Sequence, residues 1–85
     1  MHAAIRDIGC HGLLIEADEP LVLHNELKVE FDLTLVDYRA TDVYARVITM
    51  KQEGVQWLAG LEFTSISPEC NAKLQMFVQL LVASR

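Results

Sequence analysis

Apolar and polar residues alternate along the first two thirds of the chain, a pattern typical of antiparallel strands with one buried face. The clearest alternation runs over residues 26–35, where every second residue from Leu27 to Leu35 is Leu, Val or Phe. Further strands are predicted at residues 3–6, 13–17, 41–51 and 55–63, with a loop at 36–40 and a hairpin turn at 52–54. The strand at 41–51 is apolar on both faces, which predicts a central strand that is covered on both sides and paired with the strand at 55–63.

The hydrophobic period changes from 2 to about 3.6 near the end of the chain, which predicts a helix over residues 68–83. Ser67 is a good N-cap, and Pro68 suits the first helical position. Glu69 places negative charge near the positive end of the helix dipole. The apolar stripe of this helix is broad and consists of Leu74, Phe77, Val78, Leu81 and Val82.

Two pairs of residues are predicted to form contacts with other proteins. Met76 and Leu80 widen the apolar stripe of the helix beyond what packing on one sheet requires, which favours self-association. Burial of the whole stripe against the sheet is the alternative. Tyr38 and Arg39, in the predicted loop, combine the residue types that are enriched at interface hot spots. A solvated loop is the alternative for this pair.

Composition and charge narrow the class of partner. The 85 residues form one small domain, and the 52% of hydrophobic residues predicts that a partner buries some apolar surface. The net charge of -5 and the scattered basic residues argue against a nucleic-acid duplex. No apolar run is long enough to span a bilayer, and the first residues lack a signal-peptide pattern, so we expect a cytoplasmic protein without membrane insertion.

The residues that could carry chemistry do not form a catalytic or metal-binding pattern. Cys10 and Cys70 are far apart in the sequence and lack the spacing of metal ligands, so reduced thiols and no metal site are expected. Cys10 and His11 are adjacent in an extended segment, so their side chains point in opposite directions and cannot act together as nucleophile and base. We expect no enzymatic activity and no cofactor.

The segment Asp7-Ile8-Gly9-Cys10-His11-Gly12 is the best candidate for a ligand site. Glycine tolerates positive φ and lets another backbone or a planar ligand come close, so Gly9 and Gly12 could shape a shallow turn that a ligand reaches. Asp7 would then contact the ligand at the edge of the turn, and the ring of His11 could stack on it. The alternative is a plain bulged turn in which Asp7 caps its own backbone.

Four segments, in this order and spacing, resemble the PilZ domain family: Asp7 to Gly12, Pro20 to Leu33, Gly60 to Phe63, and Ser67 to Glu69. The first corresponds to the family's Asp-x-Ser-x-x-Gly turn, and the second to its amphipathic strand after Pro-Leu. The third corresponds to its Gly-Val-x-Phe strand, and the last to the start of its closing helix. The resemblance covers nearly the whole chain.

The resemblance implies a mainly β fold, a small antiparallel β-barrel with one C-terminal helix. It also implies a ligand, the bacterial second messenger cyclic di-GMP. In the family, an N-terminal Arg-x-x-x-Arg segment holds this ligand together with the turn, because guanidinium forks bind phosphate and guanine edges. Here Asp7 and Gly12 match the turn, whereas Gly9 replaces the serine and only six residues precede Asp7. Arg6 adjoins the turn, but one arginine does not replace the pair.

We therefore expect a non-enzymatic bacterial adaptor that binds another protein of a signalling, motility or pilus system, and binds cyclic di-GMP weakly or not at all. Loss of the family's first strand would leave an open sheet edge, so we also expect a homo-oligomer. One alternative is a true cyclic di-GMP receptor whose missing arginines come from a second chain. A structural β-barrel module of an unrelated family is the other. The candidate ligand-binding residues are Arg6, Asp7, Gly9, His11 and Gly12.

Overall fold

A computed structural model describes residues 3–83, in which five antiparallel strands form one sheet that curls into a half-barrel. The elements in chain order are β1 (Ala3–Ile8), β2 (Gly12–Ala17), β3 (Glu26–Leu33), a 3₁₀ turn (Thr34–Val36), β4 (Tyr38–Glu53), β5 (Gln56–Ser65) and α1 (Pro68–Ala83). The sheet order is β1-β2-β5-β4-β3, so β1 and β3 are the two edges. This arrangement confirms the predicted fold class, and β5 pairs with β4 as predicted.

β4 begins earlier than predicted because the chain turns sharply before it. Residues 34–36 form the 3₁₀ turn instead of the end of β3, and Asp37 closes this turn in the left-handed region with φ of 49°. Asp adopts this conformation more readily than most residues, since its short polar side chain can bond locally. Tyr38 and Arg39 are therefore the first residues of β4, and the prediction of a loop over 36–40 holds for residues 36 and 37 and is wrong for 38–40.

β4 is also covered on one face only. Its inward residues Val43, Ala45 and Val47 are buried, whereas Tyr44 and Ile48 on the other face are 39% and 45% exposed. The sheet is a single layer, and α1 packs against the 3₁₀ turn and β3 instead of covering the outer face. The prediction that β4 is covered on both sides is therefore wrong.

The core lies on the concave face of the sheet, and α1 closes one end of it. Ring stacking joins β3 to β5, since the centroids of Phe31 and Phe63 are 6.1 Å apart with the planes nearly parallel. From α1 only Cys70 and Leu74 are buried, one turn apart. Burial of a side chain such as Leu74 contributes about 1.5–3 kcal/mol. The sheet contributes most of the buried residues, namely Leu13, Ile15, Ala17, Phe31, Leu33, Ala40, Val43, Ala45, Val47, Ala59 and Leu61.

Two glycines of the sheet lie where a side chain would not fit, Gly12 at the contact of β2 with β5 and Gly60 at the contact of β5 with β4. A Cβ atom on Gly12 would collide with the carbonyl oxygen of Leu61, and one on Gly60 would collide with the hydroxyl of Thr49. The Thr49 hydroxyl instead accepts a hydrogen bond from the backbone N–H of Gly60 at 3.1 Å. Both glycines are therefore needed for close packing, as an isolated glycine in a strand often is.

Replacement of Gly12 by Ala should destabilise the protein by about 1–3 kcal/mol, because a backbone carbonyl cannot move aside as a side chain can. Gly9→Ala is the matched control. No atom lies within 4 Å of a Cβ built there, so its effect should stay under about 0.5 kcal/mol. Urea denaturation of the three proteins measures both effects. Equal unfolding midpoints for the two variants would contradict the close approach of β2 and β5.

Candidate functional site

The turn between β1 and β2 is held by hydrogen bonds of its own backbone and by β5. The N–H of Gly9 donates to the carbonyl oxygen of Gly12 at 3.0 Å, and the N–H of Phe63 donates to the carbonyl oxygen of His11 at 2.8 Å. The Asp7 carboxylate accepts a hydrogen bond from the N–H of Ile8 at 2.9 Å. Asp7 thus caps its own backbone, which is the second of the two interpretations drawn from the sequence.

The glycines of this turn do not use their conformational freedom. Among residues 3–83 the one glycine with positive φ is Gly54, in the β4–β5 hairpin, where φ is 62°. Gly12 is required for the close approach to β5, whereas Gly9 has open space where a side chain would be. Another backbone comes close at Gly12, whereas neither Gly9 nor Gly12 adopts positive φ.

A shallow cavity of about 310 Å³ adjoins the turn on the outer face of the sheet, and we call it the turn groove. It exists because Gly12 and Gly60 carry no side chains, and the strand register brings them close together: Gly12 pairs with Glu62, and Leu14 pairs with Gly60. The residues that line it and that matter below are Asp7, Gly9, His11, Gly12, Gly60 and Glu62. The structure thus brings four of the five candidate ligand residues together.

The turn groove is electrostatically negative. Asp7 and Glu62 line it, and no Lys or Arg is among its lining residues in the part of the chain that the structure describes. Two carboxylates repel phosphate and accept hydrogen bonds from N–H groups such as those of a guanine edge. Glu62 is a site residue that sequence reasoning missed, because its position beside the turn depends on the pairing of β2 with β5.

Arg6, the fifth candidate residue, is engaged away from the turn groove. Its guanidinium lies 2.8 Å from a carboxylate oxygen of Glu16 and 3.2 Å from one of Glu53. The hydrogen bond to Glu53 and the charges of both carboxylates raise the pKa of Arg6. All three side chains are partly exposed, so each pair contributes little to stability, but an incoming anion must compete with two carboxylates for this cation.

A second cavity of about 440 Å³ lies between the turn and α1. It shares His11 and Glu62 with the turn groove and extends to the side-chain amides of Asn71 and Gln75 on the helix. Cys10 lines it as well and is partly buried. The helix residues carry no sequence signal of a site, since they are isolated polar positions on an otherwise apolar helix.

The candidate interface residues are split between two environments. Tyr38 is partly buried and packs against the core, and this burial, together with the nearby Glu69 carboxylate, raises the pKa of its hydroxyl. Arg39 is exposed and pairs with Asp32 at 2.8 Å and with Glu30 at 3.4 Å. Tyr38 and Arg39 therefore do not form one exposed aromatic and arginine pair.

The other two candidate interface residues, Met76 and Leu80, lie one turn apart on α1 and are 50% and 45% exposed. We call these two residues the helix patch. Because only Cys70 and Leu74 of the helix are buried, the second half of α1 keeps apolar side chains in contact with solvent. The helix patch is thus a place where a protein partner could bury apolar area.

Within the described residues, no group of three or more His, Cys, Asp or Glu side chains could hold a metal ion. The thiol of Cys70 is buried, and this burial and the charge of Glu69 raise its pKa, which disfavours the reactive thiolate. Over residues 3–83 there is no helix whose length and apolar character would let it cross a membrane.

Comparison with known proteins assigns the family. The family model of the PilZ domain matches residues 1–80, which is most of the chain. No curated protein and no solved structure shows a significant match. The curled antiparallel sheet, the glycine turn between its first two strands and the closing helix agree with the match. The chain therefore belongs to the PilZ domain family.

Proposed function

We propose that this PilZ domain is a non-enzymatic bacterial adaptor that acts by binding another protein, and that its own turn groove binds cyclic di-GMP weakly or not at all. Membership of the family implies a signalling or adaptor domain of the cyclic di-GMP-binding type. The proposal concerns whether the chain retains protein binding, cyclic di-GMP binding or both. Its partner would be a component of a bacterial signalling, motility or pilus system in the cytoplasm.

The observation that carries the proposal is the charge of the turn groove. Cyclic di-GMP presents negatively charged phosphodiester groups, which proteins bind with Arg, Lys or backbone N–H groups. The turn groove offers the carboxylates of Asp7 and Glu62 instead. Arg6 is held by Glu16 and Glu53, and moving it to the ligand would break both ion pairs.

The turn also lacks one contact of the family pattern, and one oxygen of Asp7 is already engaged. Gly9 stands where the family has a serine hydroxyl. Asp7 uses one carboxylate oxygen for the N–H of Ile8, which leaves the other for a guanine edge. A ligand held by one carboxylate and a shallow surface gains little free energy against the cost of its own immobilisation.

A second candidate function is a receptor that is completed by arginines from another chain. The turn groove favours it, because the groove is open and keeps Asp7 and Gly12 of the family turn. Guanidinium groups of arginines in the second chain would neutralise the negative charges of Asp7 and Glu62 and supply the missing phosphate contacts. Ligand binding itself distinguishes the two functions, since the adaptor binds cyclic di-GMP weakly or not at all, whereas the receptor binds it when the second chain is present.

Isothermal titration of the purified chain with cyclic di-GMP should give no saturable heat up to roughly 100 μM ligand, which places the binding free energy weaker than about -5.5 kcal/mol. Asp7→Ala is the matched variant, because it removes the carboxylate that could read a guanine edge. Saturable binding in the low micromolar range that disappears in Asp7→Ala would contradict the proposal and favour the receptor.

The proposed adaptor contact is the helix patch. Replacing Met76 and Leu80 together by Glu should leave the melting temperature within a few degrees of wild type, because both side chains are about half exposed. The variant should lose the partner proteins that immobilised wild-type protein retains from a bacterial lysate. Val55→Glu is the control, since Val55 is 85% exposed in the distant hairpin turn. If all three baits retain the same proteins, the helix patch is not the adaptor surface.

A further inference from the structure

The two edges of the sheet differ in how well they can accept another strand. In β1 an extra residue, Arg6, interrupts the register between Ile5 and Asp7, and the N–H of Ile8 is engaged by the Asp7 carboxylate. A bulge and a capped N–H are common means of blocking an edge. β1 is therefore a poor edge for pairing.

The edge formed by β3 has no such protection. The register shift beside it belongs to β4, which has Thr41 and Asp42 opposite the single residue Glu30. β3 itself runs regularly over eight residues, and β4 is its one neighbour in the sheet of the described strands. It contains neither proline nor glycine, and its charged residues point outward. A long, regular edge of this kind is a template for pairing with another strand.

Apolar surface lies beside this edge. Leu27 and Val29 point to the concave face but are only partly buried, unlike Leu33 at the other end of the same strand. Together with Ile5 and Leu21 they line a cavity of about 620 Å³ that reaches from β3 to β1. A strand added at β3 would cover part of this apolar surface and also satisfy the free backbone groups of the edge.

We propose that β3 pairs with β3 of a second copy of this chain, antiparallel and centred on Val29. In an antiparallel pair the numbers of opposite residues have a constant sum, which is 58 when Val29 lies opposite Val29. Lys28 therefore lies opposite Glu30 of the second copy, and the reverse pair forms by symmetry. On the concave face, Leu27 lies opposite Phe31 of the second copy. The two sheets join into one, and the contact closes on itself, as a two-fold interface requires.

The charges of β3 select this register over its neighbours. A slip of one residue would turn the apolar face of one copy outward. The next registers that keep the faces aligned would set Lys28 against Lys28, or Glu30 against Glu30. The second of these also sets Lys28 opposite Asp32, but Arg39 already lies 2.8 Å from Asp32. The centred register instead pairs Lys28 with Glu30, whose contact with Arg39 is longer, at 3.4 Å. In the centred register Glu26 of each copy lies near Asp32 of the other, so two carboxylates face each other at both ends of the strand pair. Arg39 lies 2.8 Å from Asp32 and offsets its charge, and Glu26 accepts a hydrogen bond from Thr64.

This charge pattern is why the occupant is a second copy. The outward residues Lys28 and Glu30 are complementary to each other only in an antiparallel partner that carries the same sequence, whereas an unrelated strand would need to match them by chance. Their existing ion pairs are long and exposed, at 3.8 Å from Lys28 to Asp42 and 3.4 Å from Glu30 to Arg39. The interface uses no residue of the turn groove or the helix patch.

Charge reversal tests the interface. Lys28→Glu or Glu30→Lys alone sets two like-charged pairs across the dimer and should raise its dissociation constant about tenfold or more, as measured by sedimentation equilibrium. The double variant restores both pairs. An equimolar mixture of the two single variants also restores them, because each chain supplies what the other lacks, so both samples should dimerise like wild type.

Two controls keep the result specific. Lys51→Glu makes the same charge change on β4, away from the β3 edge, and should leave the dimer intact. Melting curves check that each β3 variant is folded. A monomeric wild type, unaffected dimers in both single variants, or no recovery in the mixture would overturn the proposal. Loss of the dimer only in the helix-patch variant would overturn it too and assign self-association to α1.

Discussion

The close approach of β2 and β5 is the constraint on which the rest of the structure depends. Gly12 has no room for a Cβ because the carbonyl oxygen of Leu61 occupies that space, and on its other side β5 packs Gly60 against the side-chain hydroxyl of Thr49 in β4. This contact fixes the register of the central strands, and the register places Leu13, Ile15 and Leu61 together in the core. The same two glycines put no side chain on the outer face beside the turn, and the turn groove is the depression that results. The packing of the sheet and the shape of the turn groove therefore have the same cause.

Shape and charge therefore have separate origins in this site. The backbone of β2 and β5 makes the groove, whereas its ligand chemistry depends on side chains that can change without altering the fold. The carboxylates of Asp7 and Glu62 lie at its rim, and the nearby guanidinium of Arg6 is bound to Glu16 and Glu53. A PilZ domain can thus keep its sheet and its turn while its interactions move to other surfaces, which we propose are here the helix patch and the β3 edge.

The sequence predicts the elements better than it predicts the site. Ser67 and Pro68 are local signals, and α1 begins at the predicted residue because such signals act within one turn. The start of β4 was missed because Asp37 adopts a left-handed conformation that its sequence neighbours do not require. The charge of the turn groove could not be predicted, since Glu62 reaches it only through the pairing of β2 with β5. The two interpretations of Asp7 use the same local residues, and only the structure shows that one of its carboxylate oxygens accepts a hydrogen bond from the N–H of Ile8.

The central claim is that the turn groove, by itself, binds cyclic di-GMP weakly or not at all. The most direct test is a two-dimensional ¹⁵N NMR titration of the chain with millimolar cyclic di-GMP, which detects binding too weak for calorimetry. The backbone amides of Gly9, Gly12 and Gly60 report on the groove, and that of Gly54 in the distant hairpin serves as an internal reference. The account predicts that the groove amides shift no more than the reference, or shift without reaching saturation at millimolar ligand. Shifts confined to the groove glycines that saturate in the low micromolar range would contradict it.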